Sequence, residues 1–380
     1  MNKNPFIISG QIPDEYFCDR KWETKELIRL VTNGNNVVLF SPRRMGKTGL
    51  IRHCYGQPEI KENYYTFFVD ILQTNSLKEF IFLLSKEIFN VLVPRNKKMV
   101  MKFVQTLKSF AGKFGIDNVS GYPTFNIQLG DIVHPELTLE EIFSYLSLAD
   151  KPCIVAIDEF QQIVNYPEKN IEAILRSHIQ QSTNSYFIFS GSKRHILQEM
   201  FLSSARPFYN SSTMMELGCI PENDYVEFIC RMFVQNQKEI DLKDAVEIYK
   251  MTEGHTFFIQ KICNESFSYT AANSKCDDRI IHQAINNILG SYAPLYRQNL
   301  SDISLKQKEV LYAIALEHEA KNITSSEFIR KHSLSSSSSV QSAVSALLKR
   351  DLISKEDETY RVTDFFFLLW LRNMLEGNSI

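Results

Sequence analysis

The sequence predicts an α/β fold, a mostly parallel sheet wrapped by helices, followed by an all-α lid and then a winged-helix domain. Three observations carry this reading. Short, unbroken, β-prone apolar runs alternate with helical patterns over residues 1–220, the rhythm of strands buried on both faces by crossover helices. Strand signals then vanish over 221–301, where apolar residues such as Val226, Ile229, Cys230 and Phe233 recur at helical spacing. From 302 to 380, three helical patterns precede two short strands, the order of a winged helix-turn-helix.

Taken in order, Leu27, Ile28 and Val31 predict a helix over 23–32 that ends at the Asn33-Gly34-Asn35 turn. The run Val37-Val38-Leu39-Phe40 predicts the first strand, with others at 65–71, 153–157, 186–189 and near 214–217. Residues 90–135 break the rhythm. A basic helical stretch (Arg95, Lys97, Lys98, Lys102) leads to Gly121-Tyr122-Pro123, a turn flanked by apolar runs at 116–119 and 125–129. This reads as an inserted helix plus hairpin, either a packing insertion or a docking place for a partner. In the last domain, helices are expected at 305–317 and 325–332. Five serines at 335–339 supply a turn and N-cap for a third helix ending at Arg350, and two strands flank Asp357-Glu358.

The chain has 380 residues, 44% of them hydrophobic, with only 14 Gly and 12 Pro. That excludes collagen-like and disordered classes and allows two or three domains with cores of their own. A formal charge of −2 offers no global attraction to nucleic acid or anionic lipid. The apolar stretch from Phe365 to Leu371 is far too short to span a bilayer, and the polar Met1-Asn2-Lys3-Asn4 start is no signal peptide, so no membrane association and a cytoplasmic location are expected. Seven scattered cysteines with no C-x-x-C pair argue for a reducing compartment and against a disulfide framework or structural zinc.

The sharpest motif follows the first strand. Ser41-Pro42-Arg43-Arg44-Met45-Gly46-Lys47-Thr48, with Gly49 opening a helix, matches a P-loop, except that Ser41 stands where the full pattern has Gly. In such a loop, main-chain N–H groups and the helix N-terminus surround phosphates, the Lys ammonium reaches the β and γ phosphates, and the Thr hydroxyl ligates Mg²⁺. A second element is the apolar strand Cys153-Ile154-Val155-Ala156-Ile157 ending in Asp158-Glu159, the form of a Walker B segment. There the first acid holds the metal and the second polarises the attacking water. Both motifs fall at C-terminal ends of expected parallel strands, the edge where open α/β sheets place ligands. The bland alternative is that Asp158-Glu159 caps the next helix.

Beyond the fourth strand, Ser190-Gly191-Ser192 offers Ser190 or Ser192 as a sensor of the γ-phosphate; the alternative is a Gly turn whose hydroxyls bond local backbone. Arg43, Arg44, Arg194 and Arg206 are candidates for stabilising phosphate charge, and Arg206 is taken as a catalytic candidate; most surface arginines are merely solvated. His255 is read as a cap or surface residue before a switch.

At this point the chain resembles the archaeal-type P-loop ATPases, a branch of the STAND group of AAA-related proteins. The resemblance lies in Phe17-Cys18-Asp19-Arg20, residues 41–48, Ile157-Asp158-Glu159-Phe160-Gln161, Ser190-Gly191-Ser192, Gly254-His255-Thr256, and Val362-Thr363-Asp364-Phe365 through Trp370-Leu371-Arg372. It implies an AAA-like P-loop NTPase core, a helical lid and a winged helix, with ATP controlling an open-to-closed transition. It also implies that Phe17 and Arg20 lie near the adenine. The family's lid motif is Gly-x-Pro, and Thr256 replaces that proline here.

The winged helix is testable by charge. Its third helix would present Gln341, Ser342, Ser345, Lys349 and Arg350 to DNA. From Ile303 onward, however, ten basic side chains face ten acidic ones, and the wing tip is Glu356-Asp357-Glu358. A phosphate-holding surface usually carries a basic surplus, so an internal clamp or protein-interaction surface ranks ahead of DNA binding. The first functional expectation is therefore a slow, Mg²⁺-dependent ATPase acting as a conformational switch in a signalling, regulatory or defence role. An unidentified protein partner and nucleotide-dependent homo-oligomers go with it. The second is a DNA-binding ATPase related to origin-recognition initiators, and the third a nucleotide-holding module without turnover.

Overall fold

A computed structural model describes residues 4–10, 12–93, 96–117, 121–317, 319–356 and 358–377. Arg95, the 118–119 end of the expected hairpin strand, wing-tip Asp357 and the first three residues lie outside the described residues. The chain forms two compact units, Gln11–Ile220 and Met1–Gly10 together with Pro221–Ile380.

The strands of the first unit are β1 (Val37–Phe40), β2 (Tyr65–Asp70), β3 (Phe114–Ile116), β4 (Pro123–Phe125), β5 (Cys153–Asp158), β6 (Ser185–Gly191) and β7 (Thr213–Glu216). Five of them make a parallel sheet in the order β2-β5-β6-β1-β7. The apolar runs are unbroken because each face has its own core. Val37, Leu39, Ile154, Ala156 and Ile188 point to one cluster with α1 (Lys21–Thr32) and α2 (Lys47–Gly56). Val38, Phe40, Val155, Ile157, Phe187 and Phe189 point to the other. Successive strand side chains alternate faces, so two buried faces leave no polar position.

The larger core also holds the inserted segment. Phe114 of β3 packs against Phe89, Phe103 and Phe110, and Phe125 of β4 packs against Phe82 and Phe89. The hairpin lies two residues earlier than the turn chemistry suggests. Pro123 belongs to a strand opposite Ile116, and Gly121 (φ +65°) is left-handed two residues before that strand. A two-stranded ribbon has two open edges, which tolerate a proline, and the facing Phe114 and Phe125 set the register.

In the second unit, helices Glu222–Gln235, Leu242–Met251, Thr256–Tyr269 and Asp278–Ser301 precede helices Leu305–Leu316, Ser326–Lys331 and Ser337–Lys349. The all-α expectation for 221–301 misses a parallel pair of two-residue strands, Glu239–Ile240 with Lys275–Cys276, too short to show any period. The Ser336 hydroxyl caps the third winged-helix helix by accepting the Ser339 amide at 3.3 Å. The wing pairs Ile353–Glu356 with Thr359–Val362, joined by Ala320–Lys321. A terminal helix, Phe365–Leu375, is capped by Asp364 and packs Phe366 against Phe258 and Phe367 against Tyr296. Residues 4–10 run with this unit: Phe6 is wholly buried among Phe228, Phe233 and Phe267.

Candidate nucleotide site

The loop between β1 and α2 turns sharply enough to need left-handed backbone at Arg44 (φ +67°) and Gly46 (φ +97°). Gly46 immediately precedes α2, whose first N–H groups are left unpaired by helix geometry and so gather at the loop mouth. Met45 is buried beneath the loop, while Arg43 and Arg44 are exposed. Arg20, itself left-handed (φ +60°) and 4% exposed, braces the loop: its guanidinium pairs with Glu23 at 2.6 Å and donates to the Met45 carbonyl at 3.3 Å.

Ser41 occupies the position where the full motif has glycine, and its geometry explains why the change is tolerated. It lies outside the left-handed region, and its hydroxyl accepts from Lys47 Nζ at 3.0 Å. The same ammonium donates to the carbonyls of Ser41 and Pro42 at 3.1 and 3.2 Å. Burial lowers the Lys47 pKa, the carboxylates of Glu159 and Asp158 oppose that shift, and the Arg43 charge adds to it. A desolvated cation held by neutral oxygens exchanges them readily for phosphate oxygens.

Across the sheet edge, Thr48 Oγ1 donates to Asp158 Oδ2 at 2.7 Å. Asp158 Oδ1 accepts the wholly buried Ser190 hydroxyl at 2.6 Å and the Glu159 amide at 3.1 Å. The sheet order explains the junction, because β6 lies between the loop strand β1 and the acid-bearing β5. Ser192 donates to Glu159 Oε2 at 2.9 Å. Both serine hydroxyls thus engage carboxylates of the neighbouring strand end rather than local backbone. A hydroxyl beside a carboxylate is a hard, oxygen-only donor pair, the set magnesium takes when phosphates and water complete its shell. Thr48 and Asp158 fit that ion.

Phe17 stacks on His53 of α2 with ring centroids 4.0 Å apart, and His53 Nδ1 lies 2.9 Å from Asp14. A Cβ at Gly49 would stand 3.9 Å from the Phe17 ring, so α2 passes directly behind this aromatic shelf. The remaining arginines are engaged elsewhere. Arg206 pairs with Glu172 at 2.6 Å and Glu199 at 3.6 Å, and Arg194 pairs with Glu216 at 2.9 Å beside the Phe40 ring. Gly254 (φ +75°) and Thr256, the first residue of the next helix, belong to the other unit.

Two members of the strand-end cluster carry no role in the sequence motifs. Gln161 donates its side-chain amide to Glu159 Oε2. Asp70 ends β2 opposite Asp158; desolvation raises its pKa, the Leu72 amide opposes this, and the charges of Asp158 and Glu159 raise it further. An acid at the end of a predicted strand adjoining the Walker B strand was the available signal for Asp70.

The parallel sheet with its loop, lysine and strand-end acids defines the P-loop ATPase class. Residues 17–262 match the sequence model of a family described as an ATPase domain predominantly from Archaea, and residues 294–373 match a probable winged helix domain. The chain belongs to that archaeal-type ATPase family. It is 23% identical over 216 residues to an uncharacterised ATP-binding protein of Methanocaldococcus jannaschii, a match covering 53% of this chain and 57% of that protein. Its fold is similar to a Walker-type ATPase of Pyrococcus abyssi (TM-score 0.68, 18% identity, 97% of this chain and 99% of that one). It is also similar to the Aeropyrum pernix ORC2 protein in its ADPNP-ADP complexes (TM-score 0.60, 12% identity, 99% and 98% covered). Among the described residues, no helix is long and apolar enough to cross a membrane.

Proposed function

We propose that this chain binds and slowly hydrolyses ATP with Mg²⁺ and uses the nucleotide as a conformational switch. The observation that carries the reading is the Asp158 carboxylate, engaged at once by Thr48 of the phosphate loop and Ser190 of the intervening strand. One side chain thereby joins the loop, the acid-bearing strand β5 and the intervening strand β6.

On this reading Lys47 leaves its Ser41 and Pro42 acceptors for the β and γ phosphates, and the loop amides take the remaining phosphate oxygens. Thr48 and Asp158 would hold a magnesium ion, which would supply neutralisation of phosphate charge. Glu159 orients a water for in-line attack on the γ-phosphorus and accepts its proton; as the new P–O bond forms, the bond to the bridging oxygen breaks and ADP leaves with its electron pair. Phe17 offers an apolar shelf to the base. The second unit, with lid and winged helix joined through Phe258–Phe366 and the 2.9 Å Arg361–Glu253 pair, responds to the nucleotide as one piece. Phosphate release from Mg·ATP by the purified protein, set against its Glu159→Gln variant, tests the reading. Release at equal rates from both, or no ATP uptake by calorimetry, defeats it.

A DNA-acting role is the second reading, and exposure of Gln341, Ser342, Ser345, Lys349 and Arg350 along one helix favours it. The charge-balanced domain, with Lys355 tied to Glu358 at 3.3 Å, weighs the other way. Duplex binding that falls steeply between two salt concentrations would move this reading to first place.

A further inference from the structure

We propose that Gln161 is a positioning residue for ATP hydrolysis, fixing the Glu159 carboxylate toward the attacking water. The inference rests on the reading of Glu159 given above and names the residue that aims it. Gln161 follows β5 in the short 3₁₀ turn Phe160–Asn165, 5% exposed. Its Nε2 and the Ser192 hydroxyl both donate to one oxygen of Glu159, Oε2, and no hydrogen bond among the described residues engages Oε1. Two donors on one oxygen restrict rotation of the carboxylate and leave its second oxygen as the acceptor for a proton. The Glu159 charge acts on the Lys47 ammonium of the phosphate loop, opposing the lowering of its pKa by burial.

The amide orientation follows from chemistry. An ionised carboxylate only accepts, so the NH₂ end of Gln161 must face it, and the carbonyl end must point the other way. That carbonyl, Oε1, is buried with no hydrogen-bond partner among the described residues and lies over Gly191, where a Cβ would collide with it. An apolar side chain of similar length would fill this place without an orphaned oxygen. The polar side chain is thus costly to folding where it stands, and the missing Cβ at Gly191 makes room for it. Its return is the bond to Glu159. The backbone agrees: Glu159 is left-handed (φ +56°), and Phe160, buried against Phe189, Phe201 and Phe208, pins the turn that carries Gln161.

The test is Gln161→Met, measured by single-turnover and steady-state phosphate release and by thermal melting. The expected result is a kcat lowered roughly tenfold, KM within about twofold, and a melting temperature equal to or above that of the parent. A residue of merely structural value would show the reverse, a lower melting temperature with kcat unchanged. Gly191→Ala gives a second route, since it displaces the same amide; combined with Gln161→Met it should lower kcat no further. Wild-type kcat in Gln161→Met, together with a dead Glu159→Gln, overturns the positioning role and leaves the Glu159 reading intact. Full turnover by Glu159→Gln overturns both.

Discussion

Thr48 and Asp158, 110 residues apart in the chain, meet at 2.7 Å where the phosphate loop faces the end of β5. A hydroxyl donating to a carboxylate at that distance is a charge-assisted bond, and the same two oxygens are those a magnesium ion would take. Thr48→Ala removes one of them without touching the loop amides. ATP affinity in the presence of Mg²⁺ should fall about 10- to 100-fold, whereas affinity measured in EDTA should be unchanged. Titration calorimetry under the two conditions checks this, and equal losses in both would assign Thr48 to phosphate rather than to metal.

Ser41 invites the opposite substitution. Ser41→Gly restores the full loop motif but deletes the 3.0 Å bond from Lys47 and adds backbone freedom to the unfolded chain. The empty protein should lose about 1–2 kcal/mol of stability in urea titrations. ATP affinity should stay within about threefold, because the bound state engages the lysine through phosphate instead. A tenfold change in affinity would mean that the serine itself contacts nucleotide.

Asp70 supplies a pH signature. Its raised pKa, driven by desolvation and then by the charges of Asp158 and Glu159, means that the folded protein holds this proton to higher pH than the unfolded chain does. The folded state binds more protons in the window above the ordinary aspartate value, so stability falls as pH rises through it, and the penalty is complete at neutral pH. Asp70→Asn should melt slightly higher than the parent at pH 7, and the gap should close as pH falls below the ordinary aspartate range. A gap that persists in acid would trace to packing rather than charge.

The strands of the sheet were readable because burial on both faces leaves runs such as Val37-Val38-Leu39-Phe40 without a polar interruption. Strand ends were readable too, which is how the loop residues Lys47 and Thr48 after β1 and the acids Asp158 and Glu159 at the end of β5 stand out from other polar residues. What lay hidden depends on side-chain direction or on contacts too short to have a period. Nothing in the order Asp-Glu-Phe-Gln tells that the glutamine amide turns back onto the glutamate, since a 3₁₀ turn and the space above Gly191 decide it. The β3–β4 register was settled by Phe114 and Phe125 meeting the helices beneath, outweighing local turn propensity.

The placement of residues 4–10 was invisible for the same reason, and it yields the last prediction. Seven residues without periodicity carry one wholly buried ring, Phe6, inserted among Phe228, Phe233 and Phe267 of helices more than two hundred positions away. The backbone is stitched as well: Asn264 donates to the Phe6 carbonyl at 2.6 Å, and Asn4 donates to the Asn264 carbonyl at 2.9 Å. Emptying that socket with Phe6→Ala should cost the second unit about 3–5 kcal/mol. The chain's two tryptophans separate the units, with Trp370 buried in the second and Trp22 66% exposed in the first. The red shift of Trp370 emission should therefore move to lower urea in Phe6→Ala, while ATP-protected melting of the first unit stays in place. An unshifted Trp370 transition would show that the segment rests on the lid without completing its core.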